Sequence, residues 1–437
     1  MKLYFILIIV FFLNNCSFDN KTGIWEEDNP LKKNKDYEIF KDFKKISSSK
    51  EIFEETIIFK KNFNFNLSKP ISNNQWNDIF FDQSNNFKNF KYLDKKQLIF
   101  KSKKITKYLI SNYLLYEDEN LIINDTKGNI IVYDINENKI ISKFNFYKQK
   151  FKKIEKKINF IVKKNIIYVA DNLGYIYAFN YKSNKIIWAK NFNISFSSNI
   201  KLLNDKIFIS SQQNDLYILN INDGNILKLI PTEDIQIKSE FVNNLSSDDR
   251  DQVFFLNSFG SLYSININNL DINWFNNFNK STQLTSSSIF NGKEIVNDNK
   301  NLIVSANNET FIIDIKTGLI KKKFNFSSKI KPIISGSAFF FLTKNNFLIA
   351  VNKKNNNILY SYNISIVEEI KKIIKKESIK DMMILNNKIF IYFNSKILIF
   401  NIDGIFQEMI KLSSKINSQP IIVQNNILYL NKNNNLI

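Results

Sequence analysis

At 437 residues, 44% of them hydrophobic and 14% aromatic, the chain can bury a large core but exceeds the usual size of one compact unit, so it holds several domains or is built by repetition. Histidine is absent and cysteine occurs once, which excludes histidine acid–base catalysis, Cys–His nucleophiles, the usual zinc sites and any disulfide within the chain. The formal charge of +20 points toward a polyanion, yet Arg250 is the lone arginine among 61 basic residues, and phosphate and base-edge recognition lean on arginine's planar fork; no nucleic-acid partner is expected, and lysines that keep a repetitive β surface soluble account for the charge.

Lys2 precedes an apolar run over residues 3–13, followed by Asn14, Asn15 and Cys16. This reads as an export signal over residues 1–15, because the run is too short to span a bilayer, which takes roughly 20 residues. The sole cysteine stands where a lipoprotein signal peptide is cut and acylated. Leu13-Asn14-Asn15-Cys16 resembles a bacterial lipobox, although the family prefers small residues at the two middle positions and both are Asn here. An ordinary buried cysteine behind a secretory signal is the alternative. Ser17 in place of aspartate resembles sorting to the outer membrane. Residues 16–55 are polar and Lys-rich without a sustained period, which predicts a flexible tether.

Residues 56–437 are predicted to form one repetitive all-β body, with full repeats from about residue 98. The unit is an apolar strand, a tight turn, a second strand ending in Asn or Asp, another turn and a third strand. It is clearest where Ile166 begins a strand, Gly174 turns, Tyr175-Ile176-Tyr177-Ala178-Phe179-Asn180 follow, and Ser183-Asn184-Lys185 lead into Ile186-Ile187-Trp188. The pattern recurs with first turns at Gly128, Asn214, Gly260, Asn308, Asn345 and Ser395, and Ile427 opens one more unit. Gly224, Gly318 and Gly404 fill second turns, where positive φ is needed. Eight turn points at roughly 37–50-residue intervals predict an eight-bladed β-propeller of four-stranded antiparallel blades.

The last unit lacks its outer strand, and Leu436-Ile437 is short enough to expect a few residues beyond it. Asn62-Phe63-Asn64-Phe65 repeats the pattern of Lys143-Phe144-Asn145-Phe146 and Lys323-Phe324-Asn325-Phe326, so an N-terminal strand at residues 60–66 is expected to close the last blade.

The grammar of Gly174-Tyr175-Ile176-Tyr177-Ala178-Phe179-Asn180 and Trp188 resembles the pyrroloquinoline-quinone-like propeller repeat, over about residues 98–437. Trp188 and Trp274 are then expected to pack between blades, with Phe324 and Tyr360 as substitutes elsewhere. Two functional classes share the repeat. Quinoprotein dehydrogenases carry a cofactor, calcium ligands and often a cysteine pair, and this chain has one cysteine. The lipobox, tether and eight units resemble instead the BamB-like lipoproteins of the outer-membrane β-barrel assembly machinery.

That resemblance implies a non-enzymatic scaffold without catalytic residues, cofactor or metal, lipid-anchored to the periplasmic face of the outer membrane and monomeric within its complex. Its partners would be the central barrel subunit and unfolded outer-membrane protein clients. The family's apolar-x-apolar-basic contact loop between the third and fourth blades matches Ile235-Gln236-Ile237-Lys238, so Ile235, Ile237 and Lys238 are the expected partner contacts. The same stretch reads equally well as a strand with one face buried. Two acidic contacts of the next junction have no match in Gln283-Leu284-Thr285-Ser286. A quinoprotein-like dehydrogenase or another periplasmic ligand-binding propeller is the alternative. Asp171, Asp234 and Asp251 form no spaced metal cluster and fit turn caps better. Lys152, Lys153, Lys156 and Lys157 suit either anionic lipid headgroups or a solvated hairpin face.

Overall fold

The computed structural model describes residues 52–60, 62–93, 97–147, 149–233, 243–248, 250–279, 290 and 292–437, together with the strand backbones of Cys16–Phe18 and Trp25–Glu27. The chain divides into two compact units, Met1–Glu51 and Ile52–Ile437. In the first, Cys16–Phe18 pairs antiparallel with Trp25–Glu27, a short ladder in a stretch whose composition predicts none. The second begins at Ile52, ahead of the boundary expected at residue 56. Burial explains the difference: the Phe53 ring lies 5.9 Å from that of Phe326 and 6.5 Å from that of Phe347, and the Phe53 amide donates to the Asn325 carbonyl at 2.9 Å.

The larger unit is a succession of antiparallel sheets. Seven of them, over residues 115–145, 158–191, 201–230, 244–277, 296–324, 333–363 and 379–411, each contain four strands in chain order. The seventh also takes Asn89–Phe90 as a parallel strand, and the hairpin of Ile421–Val423 and Asn426–Leu428 follows. In all seven, the register shifts by one residue between the third and fourth strands, as at Ala178/Phe179 and Ser264/Ile265. A bulge repeated at one place adds the same twist to every sheet. It also fixes equivalences that spacing leaves open. Trp188 pairs with Ala178, Trp274 with Ser264 and Tyr360 with Ala350, whereas the fifth sheet has Lys322 at this position. Phe324 lies two residues further on, so it does not replace the tryptophan.

The core lies between the faces of successive sheets. Ile122 and Val132 of the first pack with Phe160 and Val169 of the second. Phe208 and Ile218 of the third pack with Val253 and Phe255 of the fourth. One cluster unites Phe340 of the sixth sheet, Ile391 of the seventh, Ile422 and Tyr429 of the last hairpin and Leu121 of the first sheet. Among the described residues no helix is long and apolar enough to cross a membrane.

Residues 64–66, part of the 60–66 segment expected beside the last hairpin, lie on the sixth sheet instead. The Ser337 amide donates to the Phe65 carbonyl at 2.8 Å, the Phe65 ring stacks 5.9 Å from that of Phe340, and the Phe59 amide donates to the Tyr362 hydroxyl at 2.8 Å. The physical reason is at Gly336, where φ is +54° and a Cβ would stand 2.0 Å from the Phe65 carbonyl oxygen: the sixth sheet has a backbone gap shaped for this segment. The last hairpin bonds elsewhere. Leu436 pairs with Leu430, the Ser102 amide donates to the Leu436 carbonyl at 3.0 Å, and the Ile105 amide to that of Asn434 at 3.0 Å.

Between these segments runs a stretch whose one regular element is the strand Asn89–Phe90, and it touches the first strands of successive sheets in chain order. Asn73 accepts from the Gln424 amide at 2.7 Å and donates to the Ile422 carbonyl at 2.8 Å, both in the last hairpin. Trp76 exchanges amide bonds of 2.8 and 2.9 Å with Tyr116 of the first sheet, and the Asn77 carbonyl accepts from Val162 of the second at 3.0 Å. Gln83 donates to Leu202 of the third at 3.3 Å and accepts from Ser247 of the fourth at 2.8 Å. Ser84 accepts from Asn297 of the fifth at 3.1 Å, and Asn86 exchanges two 2.9 Å bonds with Ile334 of the sixth. Asn89–Phe90 pairs with Ile384 and Leu385 of the seventh, and the Leu93 amide returns to the last hairpin at Asn425, 3.1 Å away. The first strands therefore all face one common axial segment.

At its middle the Lys201 ammonium donates to the Asp78 carboxylate at 2.7 Å, the Asp82 carbonyl at 2.8 Å and the Asn85 side-chain carbonyl at 2.6 Å. All three N–H groups are used, which is what full burial of a lysine requires.

Candidate partner-binding loop between the third and fourth sheets

The chain leaves the third sheet at Ile230 and enters the fourth at Asn244. Ile235, Ile237 and Lys238 lie within this connection but outside the described residues, as do Gln283-Leu284-Thr285-Ser286 and Asp234. What the structure describes are the two stems of the loop.

On the leaving side, Thr232 donates through its hydroxyl to the Asn214 carbonyl at 2.7 Å, and the Asn214 amide side chain donates to the Glu233 carbonyl at 3.1 Å. The Glu233 carboxylate accepts from the Ser261 hydroxyl at 2.6 Å, the Asn257 amide at 2.9 Å and the Tyr263 hydroxyl at 2.9 Å. Burial alone would raise this carboxyl, but the donors outweigh it and hold it below the usual carboxylate range. On the entering side, Asn243 donates to the Ser210 hydroxyl at 2.9 Å and the Ser211 carbonyl at 3.0 Å, and accepts from the Ser258 amide at 2.8 Å. Ser258 in turn donates to Asn214 at 2.8 Å. One network thus clamps both stems to the third and fourth sheets. Short polar side chains build it, and the sequence signal for it is only a local excess of Asn and Ser. The Ser261 hydroxyl beside Glu233 is fully buried, and the arrangement positions a loop.

Trp188 is buried, donates its indole N–H to the Ile221 carbonyl at 2.9 Å, and lies where a Cβ on Gly224 (φ +69°) would come within 2.5 Å of its ring. Trp274 is half-buried, donates to the Ile315 carbonyl at 3.1 Å and covers Gly318 in the same manner. The Tyr360 hydroxyl donates to the Ile402 carbonyl at 3.0 Å, and its ring covers Gly404. Each aromatic therefore caps the second turn of the following sheet. Cys16 belongs to the smaller unit, and its backbone pairs with that of Glu27.

Asp171 serves its own turn, accepting from the Leu173 and Tyr175 amides at 2.8 and 2.9 Å and from the Tyr147 hydroxyl at 2.7 Å, while burial pushes its carboxyl up. Among the described residues no three acidic or thiol side chains converge on a metal position. Spacing gave no sign of the axial segment or of the buried charges Lys201, Lys331 and Asp381. Their partners come from remote parts of the chain.

The family model for outer membrane protein assembly factor BamB matches residues 119–362, from the first sheet through the sixth. No curated protein sequence matches the chain. Among solved structures, BamB from Moraxella catarrhalis superposes with a TM-score of 0.61 at 11% identity, covering 78% of this chain and 98% of that one. The computationally designed Ika8 protein gives 0.57 at 12% identity, covering 77% and 97%. Quinohemoprotein alcohol dehydrogenase from Comamonas testosteroni gives 0.57 at 9% identity, covering 82% and 75%. At these identities the structural likenesses establish the β-propeller fold and no activity. With more than half of its length matched by one family model, the chain belongs to the BamB family of outer membrane protein assembly factors.

Proposed function

We propose that the chain is an exported lipoprotein, anchored through Cys16 to the periplasmic face of the outer membrane, whose eight-bladed propeller is a non-enzymatic scaffold of the β-barrel assembly machinery. Membership of the BamB family carries this reading. The blade count is supported by the axial segment, which starts on the last hairpin at Ile422, meets the other seven sheets in turn and returns to that hairpin at Asn425. A ring of eight satisfies that order, with the segment around Ser102 and Ile105 as the outer strand of the last blade.

The work of such a scaffold is docking. Ile235, Ile237 and Lys238 contact the central barrel subunit from a loop whose stems are clamped by Glu233 and Asn243. Client strands pair with the outer edges of the blades. The chain offers a precedent on itself: Ile57 lies against the outermost strand of the sixth sheet and exchanges bonds of 3.1 and 2.9 Å with Ser361. The second reading, a quinoprotein-like dehydrogenase or other ligand-binding propeller, draws on the quinohemoprotein likeness. Against it stands the axial segment, which any ligand on the middle of the axis has to displace.

Affinity purification from solubilised outer membranes tests the proposal. The central barrel subunit is expected to copurify with the unmutated chain and to be lost from Ile235→Asp and Lys238→Glu. Its absence from the unmutated preparation refutes the scaffold role.

A further inference from the structure

In the second sheet the third strand, Tyr175–Asn180, pairs along its length with the second, Ile166–Asp171, and with the fourth, Lys185–Asn191. The last hairpin begins the same arrangement. Tyr429 and Ile437 exchange amide bonds of 3.1 and 2.9 Å, and the Ser102 amide donates to the Leu436 carbonyl from the other side. The ladder goes no further. Ile427 lies two residues before Tyr429 on the same strand, so its N–H and C=O point to the same side, and among the described residues neither has a partner there. Across the gap Phe100, two residues before Ser102, makes no backbone bond among the described residues either.

The gap is therefore one strand wide, with residues 98–100 on one side, Asn426–Leu428 on the other, and Ile397 and Ile410 of the seventh sheet beneath. Leu98 and Ile99 are exposed at its rim. The seven complete sheets show what fits it. Ile437 stands opposite Tyr429 as Tyr177 stands opposite Val169, so the next three positions correspond to Ala178, Phe179 and Asn180. At the first of them the seven sheets carry Ala, Ser, Val or Ile. At the middle one they carry Tyr, Phe, Leu, Ile or Val, all buried, as at Phe179 and Leu219. At the last they carry Asn or Asp, as at Asn180 and Asp134. The Phe179 ring stacks 4.2 Å from that of Phe144 in the preceding sheet. Ile410 holds the place of Phe144, opposite Ile397 as Phe144 is opposite Ile130, so the middle side chain has an apolar seat in the gap as well.

We propose that this gap binds an extended segment of a second polypeptide, antiparallel to both flanking strands, with the pattern small or aliphatic, large apolar, Asn or Asp. The middle residue exchanges both backbone bonds with Ile427 and lays its side chain on Ile410, and the residue before it bonds to Phe100. Such binding continues the ladder that Leu436 and Ile437 begin, which sets register and direction before the partner arrives. Free backbone donors and acceptors in an apolar groove select a peptide over an apolar small molecule, which would cover them without bonding them. The site is separate from the loop between the third and fourth sheets and stands whether or not the scaffold reading holds.

The test uses the 437-residue chain and the blocked peptide acetyl-Ala-Phe-Asn-Tyr-Lys-amide, a copy of residues 178–182. Isothermal titration calorimetry is expected to show one saturable site, and hydrogen exchange to slow most over residues 426–428. A peptide N-methylated at Phe, which has no amide for the Ile427 carbonyl, and one with Asp in place of Phe bind at least about tenfold more weakly. A chain carrying Ala-Phe-Asn after Ile437 fills the gap from within, so it no longer takes up the peptide and unfolds at a higher temperature. The proposal is overturned if no saturable heat appears up to about 2 mM peptide, if the N-methylated peptide binds as tightly as its parent, or if the extended chain still takes the peptide up. Protection confined to the outermost strands of the other sheets also overturns it, and is the result that edge pairing under the scaffold reading gives.

Discussion

Replacing Lys201 by methionine probes the axial segment at its most buried point. The ammonium is fully enclosed, Asp78 is 3% exposed, and the two are 2.7 Å apart. Methionine fills most of the volume but leaves the Asp78 carboxylate in the interior without its cation, and breaking a buried pair from one side costs about 3–5 kcal/mol. With roughly 2 cal/mol/K of unfolding entropy per residue over Ile52–Ile437, this corresponds to a fall of about 4–6 °C in Tm. Asn85 and the Asp82 carbonyl also lose their donor. The double variant Asp78→Asn with Lys201→Met removes the stranded charge and is expected to recover about half of the loss, leaving the cost of those unmade hydrogen bonds. Urea unfolding gives the energies, and limited proteolysis reports whether residues 71–93 become cleavable in the single variant. A loss below about 1 kcal/mol in Lys201→Met, or a double variant as damaged as the sum of its parts, refutes the reasoning.

Three other outcomes are expected. Burial pushes Asp381 up to about 6 against the opposing pull of Lys331, Gln419 and the Met382 amide, with Glu294 adding to the rise. Between about pH 4 and 6 the native state then holds a proton that the unfolded chain releases, so stability falls by about 3 kcal/mol as pH rises through that window. Urea titrations should show this fall flattened in Asp381→Asn, and an unchanged slope counts against it. Gly336→Ala, placing a methyl 2.0 Å from the Phe65 carbonyl, should lift residues 64–66 off the sixth sheet at a cost of about 1–3 kcal/mol and speed hydrogen exchange at the Ser337 amide. Trp188→Ala should cost about 3–5 kcal/mol in urea unfolding, whereas Trp188→Phe, which keeps a ring over Gly224 but loses the bond to Ile221, should cost much less; equal losses would mean that the ring itself contributes little.

The sheets were legible because their information is local. Alternating apolar residues, a glycine at positive φ such as Gly174 and an Asn closing the strand lie within a few residues of one another, and the pattern returns with each sheet. The bulge is less legible, since it shows only in the pairing of two strands, and that is why Phe324 looks equivalent to Trp188 when Lys322 is. The Asn-Phe-Asn-Phe pattern at residues 62–65 announces a segment that covers a sheet edge without saying which sheet. Gly336, which decides it, lies far along the chain. The axial segment has no period to read, because its neighbouring residues face different sheets: the Gln83 carbonyl goes to the fourth, that of Ser84 to the fifth and the Asn86 side chain to the sixth. Lys201 reads as the solvated start of a strand until Asp78, 123 residues away, is placed beside it.

The order in which the axial segment meets its partners bears on how the chain reaches this state. Asn73 emerges from synthesis well before its acceptor at Ile422, which lies 349 residues downstream. Contacts so distant in sequence are slow to form, since the intervening chain must be ordered before they return any energy. Until the last hairpin exists, the segment has no complete wall to line, and each sheet made so far leaves its first strand bare on that side. A nascent molecule therefore offers raw strand edges and aromatic side chains for as long as the last hairpin is delayed, and its survival depends on whatever shields them during that interval.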